Sequence, residues 1–419
     1  MIDSLFSLLN LERRKVLYFA ILTTEKVFIL MFHFFIVNYF SSESYGILNQ
    51  TNFISAFFQN ILMFGVAIPF VVSVAGDKNL HNVFFKFFIP LSIFVSIFCF
   101  LVIFLFNEFF TNVIFGNPIF IQYLIILFIV IISDILSEYI IVRNRVQDKL
   151  KLHSNFILSR SLVKVSVILI IYFLTNDFYI SFLVSSISYF TFTLVISYLY
   201  FDLSINNYIN VFKKNFYHLK KLLIDGFQFV LIYILSSTSS ILINLIIVGE
   251  FDINTLAIYN FNFMLASAPI TILGYITFYS LPDFSKKIVI SDNIMSSNLF
   301  KDILLTSILF LIFFVVIFFA YDLIIIPINE FYRDKTLFSI IFISNFIFMI
   351  NNFCQFPLLS KRKYLILIII IFTSLSLNLI YLFVINDNFT MLTPVYGFLI
   401  ANVSAFILLI ITNLSINHK

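Results

Sequence analysis

The chain has 419 residues, of which 61% are hydrophobic and 11% charged, and its formal net charge is +4. A soluble domain holds about 45–50% apolar and about 25% charged residues, so lipid must solvate most of this chain. Soluble enzymes, nucleic-acid binders and disordered scaffolds are excluded at that step. The two cysteines, Cys99 and Cys354, lie in apolar stretches and the five histidines are scattered. That pattern gives no disulfide framework, no metal site and no expected cofactor.

In chain order, twelve apolar runs are long enough to cross a ~30 Å hydrocarbon core at about 1.5 Å per residue. They cover 18–40, 46–75, 87–106, 119–142, 155–175, 179–200, 223–249, 254–281, 302–326, 337–358, 364–385 and 394–414. The runs are continuous rather than alternating, so each is expected to be a helix and not a barrel strand. The first is too long for a cleaved leader, and no small-residue cleavage site follows it.

Charge placement orients these spans. Twenty of the 25 Lys and Arg precede the first span, follow an even-numbered span or end the chain. Only Arg333 and Lys335 fall on the opposite side, while Lys26, Arg160 and Lys164 lie within spans. The positive-inside rule then puts both termini in the cytoplasm and makes the span count even. The 201–222 connection mixes Phe212, Phe216, Tyr217, Leu219 and Leu222 with Lys213, Lys214, Lys220 and Lys221. Two readings stand for it, a short helix in the membrane interface and a plain polybasic linker.

An internal repeat divides the chain. Residues 36–49 and 247–260 are identical at five of fourteen positions at an offset of 211: Ile36/Ile247, Val37/Val248, Phe40/Phe251, Ile47/Ile258 and Asn49/Asn260. A second echo pairs IIYFLTND at 170–177 with LIYLFVIND at 379–387. The expected architecture is an all-α polytopic membrane protein of about twelve helices. Two six-helix bundles, 1–200 and 223–419, are joined by the 201–222 linker and related by a pseudo-twofold axis along the membrane normal. Two bundles around a central cavity is a transporter arrangement.

Short motifs sharpen that expectation. Tyr45-Gly46 after a short turn, Gly65 and Pro69 late in the second span, and Pro282 after the eighth are similar to the polysaccharide-exporter branch of the MOP superfamily. So are Asn378-Leu379, Pro394-Val395-Tyr396-Gly397 and Ala401, although Leu399 and Ile400 replace small residues expected there. The nearest members resembled are Wzx-type O-antigen flippases. The resemblance implies a MATE-like fold and a substrate of undecaprenyl-diphosphate-linked oligosaccharide, moved across the bacterial inner membrane by alternating access. It also implies membrane lipid, a coupling proton or sodium ion and polysaccharide-assembly proteins as partners, with no nucleic acid.

Ionisable residues inside a span mark candidate sites, because each costs several kcal/mol without a partner or water. Asp134 and Glu138 share one helix face, as do Arg160 and Lys164 on the next span. Residues at equal depth in an antiparallel hairpin have a constant sum of numbers, which sets Asp134 level with Lys164 and Glu138 level with Arg160. Two readings remain open: a pair of structural ion bridges, or a polar wall. In the second, Arg160 and Lys164 bind a diphosphate while Asp134 and Glu138 take up the coupling ion. Lys26 either snorkels to the interface or adds a third phosphate contact, with Glu25 beside it as a further coupling group. Asp225 is expected at the N-terminus of the seventh span. Amides at Asn49, Asn52, Gln59, Asn60, Asn260, Asn262, Asn345, Asn351, Asn352 and Gln355 suit interhelical bonding or a sugar-lining surface.

No Walker sequence is present, so the chain is not expected to use ATP. A membrane polymerase or ligase is the rival class, but it would be expected to carry a long outer loop with Arg and His. A membrane acyltransferase would need a pair of cytoplasm-facing histidines. Within transport, a multidrug or peptidoglycan-precursor exporter of the same superfamily is the alternative.

Overall fold

A computed structural model describes residues 13–67, 69–70, 78–147, 149–201, 208–270, 297–361, 363–385 and 390–417. In order, the helices are α1 (Arg13–Tyr39), α2 (Ser42–Leu62), α3 (Lys78–Leu105), α4 (Asn107–Phe115), α5 (Tyr123–Val146), α6 (Leu150–Thr175), α7 (Phe178–Tyr200) and α8 (Tyr208–Glu250). They continue as α9 (253–270), α10 (Ser297–Ile328), α11 (Lys335–Ser360), α12 (Tyr364–Val384) and α13 (Thr393–Asn417). Among the described residues the chain is all-helical, and ten helices are long and apolar enough to cross a membrane.

The two remaining expected spans correspond to α2 and α9. Both are diluted by amides: Asn49, Gln50, Asn52, Gln59 and Asn60 in α2, and Asn254, Asn260 and Asn262 in α9. The same step of each half is therefore the expected span that falls short of crossing apolarity among the described residues. α2 also ends early, because Phe64 (φ 55°) and Gly65 (φ 58°) turn left-handed. The further residues expected in the eighth span, with Pro282, lie outside the described residues.

Hydrogen bonds bear out the repeat at the α1–α2 and α8–α9 corners. Phe40 N–H donates to Ile36 O at 2.8 Å, and Phe251 N–H to Ile247 O at 3.1 Å. Tyr45 N–H donates to Ser41 O at 3.0 Å, and Leu256 N–H to Asp252 O at 3.1 Å. The caps recur too: Ser44 N–H reaches Ser41 Oγ at 3.2 Å, and Thr255 N–H reaches Asp252 Oδ1 at 2.6 Å. Every one of these partners is related by the offset of 211. Chain reversals within so few residues keep backbone groups paired, which a membrane helix end requires.

Packing divides the chain into two compact units. The first comprises 1–32, 51–108 and 119–227, and the second 33–50, 109–118 and 228–419. In the first, α5 packs on α3, α6 and α7, and α6 on α7. In the second, α11 packs on α10, α12 and α13, and α12 on α13. Gly397 of α13 lies directly against the Asn378 side chain of α12, with no room for a Cβ. These two members of the family-like ending are thus a helix-crossing contact.

α8 departs from both readings of 201–222. It is one 43-residue helix, and only Leu219–Glu250 is apolar enough to cross a membrane. Asp225 is consequently deep within a helix that begins at Tyr208, not at its N-terminus.

Candidate functional site

The intramembrane ionisable residues of the first unit form one cluster across five helices. α1 carries Glu25 and Lys26, α5 carries Asp134 and Glu138, and α6 carries Arg160 and Lys164. α2 and α7 supply neutral partners.

Neither expected ion bridge forms. Among the described residues, no carboxylate oxygen of Asp134 or Glu138 lies within 4.0 Å of an Arg160 or Lys164 nitrogen. Lys164 Nζ instead donates to Asn52 Oδ1 at 2.7 Å, and Arg160 Nη1 to Ser137 Oγ at 2.7 Å. Asp134 accepts from Ser55 Oγ at 2.6 Å and from Tyr189 Oη at 2.9 Å. Glu138 accepts from Gln59 Nε2 at 3.4 Å. The hairpin register thus brings the four charges into one cluster, while α2 and α7 insert neutral groups between them. Lys164 Nζ also lies 5.4 Å from the Tyr189 ring centroid.

Lys26 neither snorkels away from its neighbour nor stands free. Its Nζ lies 3.1 Å from Glu25 Oε2, because a long flexible stem overcomes the 100° between adjacent positions. Glu25 is 1% exposed and also accepts from Ser161 Oγ at 2.6 Å.

Burial grades the cluster. The hydroxyls of Ser55, Ser137, Ser161 and Tyr189 are buried, and so is Glu25. Lys26, Asp134, Glu138, Arg160 and Lys164 are half-buried, together with the amides Asn52 and Gln59. Five of the six charges therefore keep an accessible side. Such a cation can trade a neutral partner for an anionic ligand without breaking an ion pair, and hydrogen bonds to charged groups are the stronger kind.

Of these partners, Asn52 and Gln59 were visible as a polar face of the second span. Ser55, Ser137, Ser161 and Tyr189 were not, since hydroxyls are common in every helix of this chain. The repeat does reach the site at Asp134: Ile132-Ser133-Asp134 aligns with Ile343-Ser344-Asn345 at the corner offset of 211.

Four amides of the second unit, Asn262, Asn351, Asn402 and Asn413, join helices to one another. Asn351 Nδ2 donates to Asn402 O at 2.9 Å, Asn402 Nδ2 to Ser344 Oγ at 3.1 Å, and Asn413 Nδ2 to Cys354 O at 2.9 Å. Asn262 Nδ2 donates to Tyr332 O at 3.0 Å and its Oδ1 accepts from Tyr321 Oη at 2.6 Å. Arg333 and Lys335 both bind Asp322, at 3.0 and 3.1 Å.

No protein family and no curated protein matches the sequence. Solved structures do. A multidrug resistance MATE family transporter of the MOP superfamily, in an inward-facing conformation, superposes with a TM-score of 0.67 at 12% identity, over 94% of this chain and 95% of that one. The chain has the fold of the MATE transporters. The MATE multidrug transporter DinF-BH gives 0.65 at 14% identity, over 97% of this chain and 95% of that one. The lipid II flippase MurJ, in an inward closed conformation, gives 0.65 at 16% identity, over 96% and 90%.

Proposed function

We propose that the protein is a flippase for a lipid-linked oligosaccharide diphosphate, an O-antigen-type repeat unit, working by alternating access in the bacterial inner membrane with both termini cytoplasmic. The observation that carries this reading is the half-buried cluster, in which Arg160 and Lys164 hold only neutral partners. Those two cations would receive the diphosphate. Lys26, already paired with Glu25, would be the weaker contact. Asp134 and Glu138, with Glu25, would take up the coupling ion. Two further supports are the exporter-like motifs, including the Asn378–Gly397 contact, and a fold shared with a protein described as a lipid II flippase.

The second reading is a multidrug exporter, favoured by the MATE structures the fold matches. Deleting the protein from its host separates these possibilities. A flippase mutant accumulates lipid-linked units on the cytoplasmic leaflet. Loss of a polymerase would instead leave single units at the surface, and loss of a drug exporter would leave surface polysaccharide intact.

A further inference from the structure

The lysine-rich start of α8 has no part in the charged cluster, yet it is built with two distinct faces. Leu219 and Leu222 are 2% and 7% exposed. One turn on, Gly226 meets the α2 exit turn so closely that a Cβ would lie 2.5 Å from Phe64 O. That stripe is the inner face. Phe216, Tyr217, Lys220, Lys221, Ile224 and Phe227 are all exposed, Tyr217 by 75% and Phe227 by 64%. Their spacing of three and four residues runs them up one side of the helix.

The order along this outer stripe matters. The apolar span begins at Leu219. Ile224 and Phe227 therefore belong to the hydrocarbon side, Lys220 and Lys221 to the first turn of the span, and Phe216 and Tyr217 to the turn before it. Apolar side chains, then paired cations, then a tyrosine is the vertical profile of a bilayer leaflet: acyl chain, phosphate, headgroup boundary. Asp225, half-buried, lies one turn beyond Lys221 and shares its side of the helix, which leaves Lys220 with the less compensated charge.

We propose that this stripe is a docking site for an anionic phospholipid, with the headgroup phosphate on Lys220 and Lys221 and an acyl chain along Ile224 and Phe227. The site rests on the membrane-embedded fold and is independent of the transported substrate. It would fix the outer side of the helix connecting the two halves, whose inner side is already fixed by Gly226 against the α2 turn.

The test is native mass spectrometry of the full chain in detergent, titrated with phosphatidylglycerol or with phosphatidylcholine of the same acyl chains. The wild-type protein should retain phosphatidylglycerol preferentially, and raising the ionic strength should strip it. Lys220→Gln with Lys221→Gln should weaken retention on the order of tenfold, from the usual contribution of each basic residue near an anionic surface. Lys220→Arg with Lys221→Arg should retain the lipid and guards against a folding defect in the first variant. Equal retention of the two lipids, retention that survives high salt, or undiminished retention by the folded Gln variant would each overturn the site.

Discussion

Asp134 and Asn345 occupy matching steps of the two halves, each after a buried serine, Ser133 or Ser344, at the offset of 211 that also relates the helix corners. The surroundings differ. Asp134 has two hydroxyl donors and lies in a cluster of six charges. Asn345 is 3% exposed, and its Nδ2 has no hydrogen-bond partner among the described residues. The exchange runs the other way at the helix corners, where Ser41 caps α2 while Asp252 caps α9. One backbone plan therefore carries buried charge in one half and an amide framework in the other. Asp134 and its charged neighbours Glu138, Arg160 and Lys164 are half-buried, whereas Asn345 is sealed.

The largest expected difference follows from replacing the paired positions. Asp134→Leu strands two buried hydroxyls, Ser55 Oγ and Tyr189 Oη, and removes both of their hydrogen bonds to a charged group. It should destabilise the fold by about 3 kcal/mol or more. Asn345→Leu removes an amide whose nitrogen is already unsatisfied, so it should stay within about 1 kcal/mol of wild type. Thermal unfolding in detergent reads both. Equal losses would erase the distinction between the halves.

Tyr189→Phe comes next. It removes one donor to a carboxylate and should cost about 1.5–3 kcal/mol with little change in packing. A smaller effect would mean that Ser55 alone holds Asp134.

A double-mutant cycle between Asp134 and Lys164 should then give a coupling of about 1 kcal/mol or less, since neutral groups intervene. A coupling near 3 kcal/mol would restore the direct ion bridge suggested by the hairpin register.

The smallest effect lies at the corners and depends on pH. Burial alone would raise the Asp252 carboxyl, but hydrogen bonds from Thr255 and Asn254 outweigh it and hold the group below the ordinary carboxylate value. A depressed folded-state pKa contributes stability that is present above the unfolded value of about 3.9 and is lost as pH falls through the folded one. Asp252→Asn should remove that acid-side loss and leave neutral-pH stability almost unchanged. The same scan on Ser41→Asn should leave the wild-type pH profile unchanged in shape, because serine does not titrate.

Much of this was legible before any coordinates. Apolar run length placed ten crossing helices within a few residues, and the 36–49 repeat predicted corners that share hydrogen bonds position by position. The same measure also drew spans at 46–75 and 254–281, where the amides leave the described parts of α2 and α9 less apolar than the other ten. Continuity between 208 and 250 was not legible, because a lysine-rich segment reads as a loop when helical phase is carried only by Leu219, Leu222 and Gly226. At the site, the constant-sum register found all four charges of the α5–α6 hairpin. It could not foresee the insertion of Asn52, Ser55 and Tyr189, which arrive from helices outside that hairpin.

Under the proposed function, Lys164 would meet the transported anion while Asn52 holds it in reserve. Export of lipid-linked oligosaccharide by Lys164→Gln, in cells lacking the wild-type protein, tests this most directly. Gln can still donate to Asn52, so the protein should accumulate and remain folded, while Lys164→Arg serves as the charged control. Lys164→Gln should lose export at a normal protein level, and Lys164→Arg should keep a measurable part of it. Normal export by a well-expressed Lys164→Gln variant would contradict this role of Lys164.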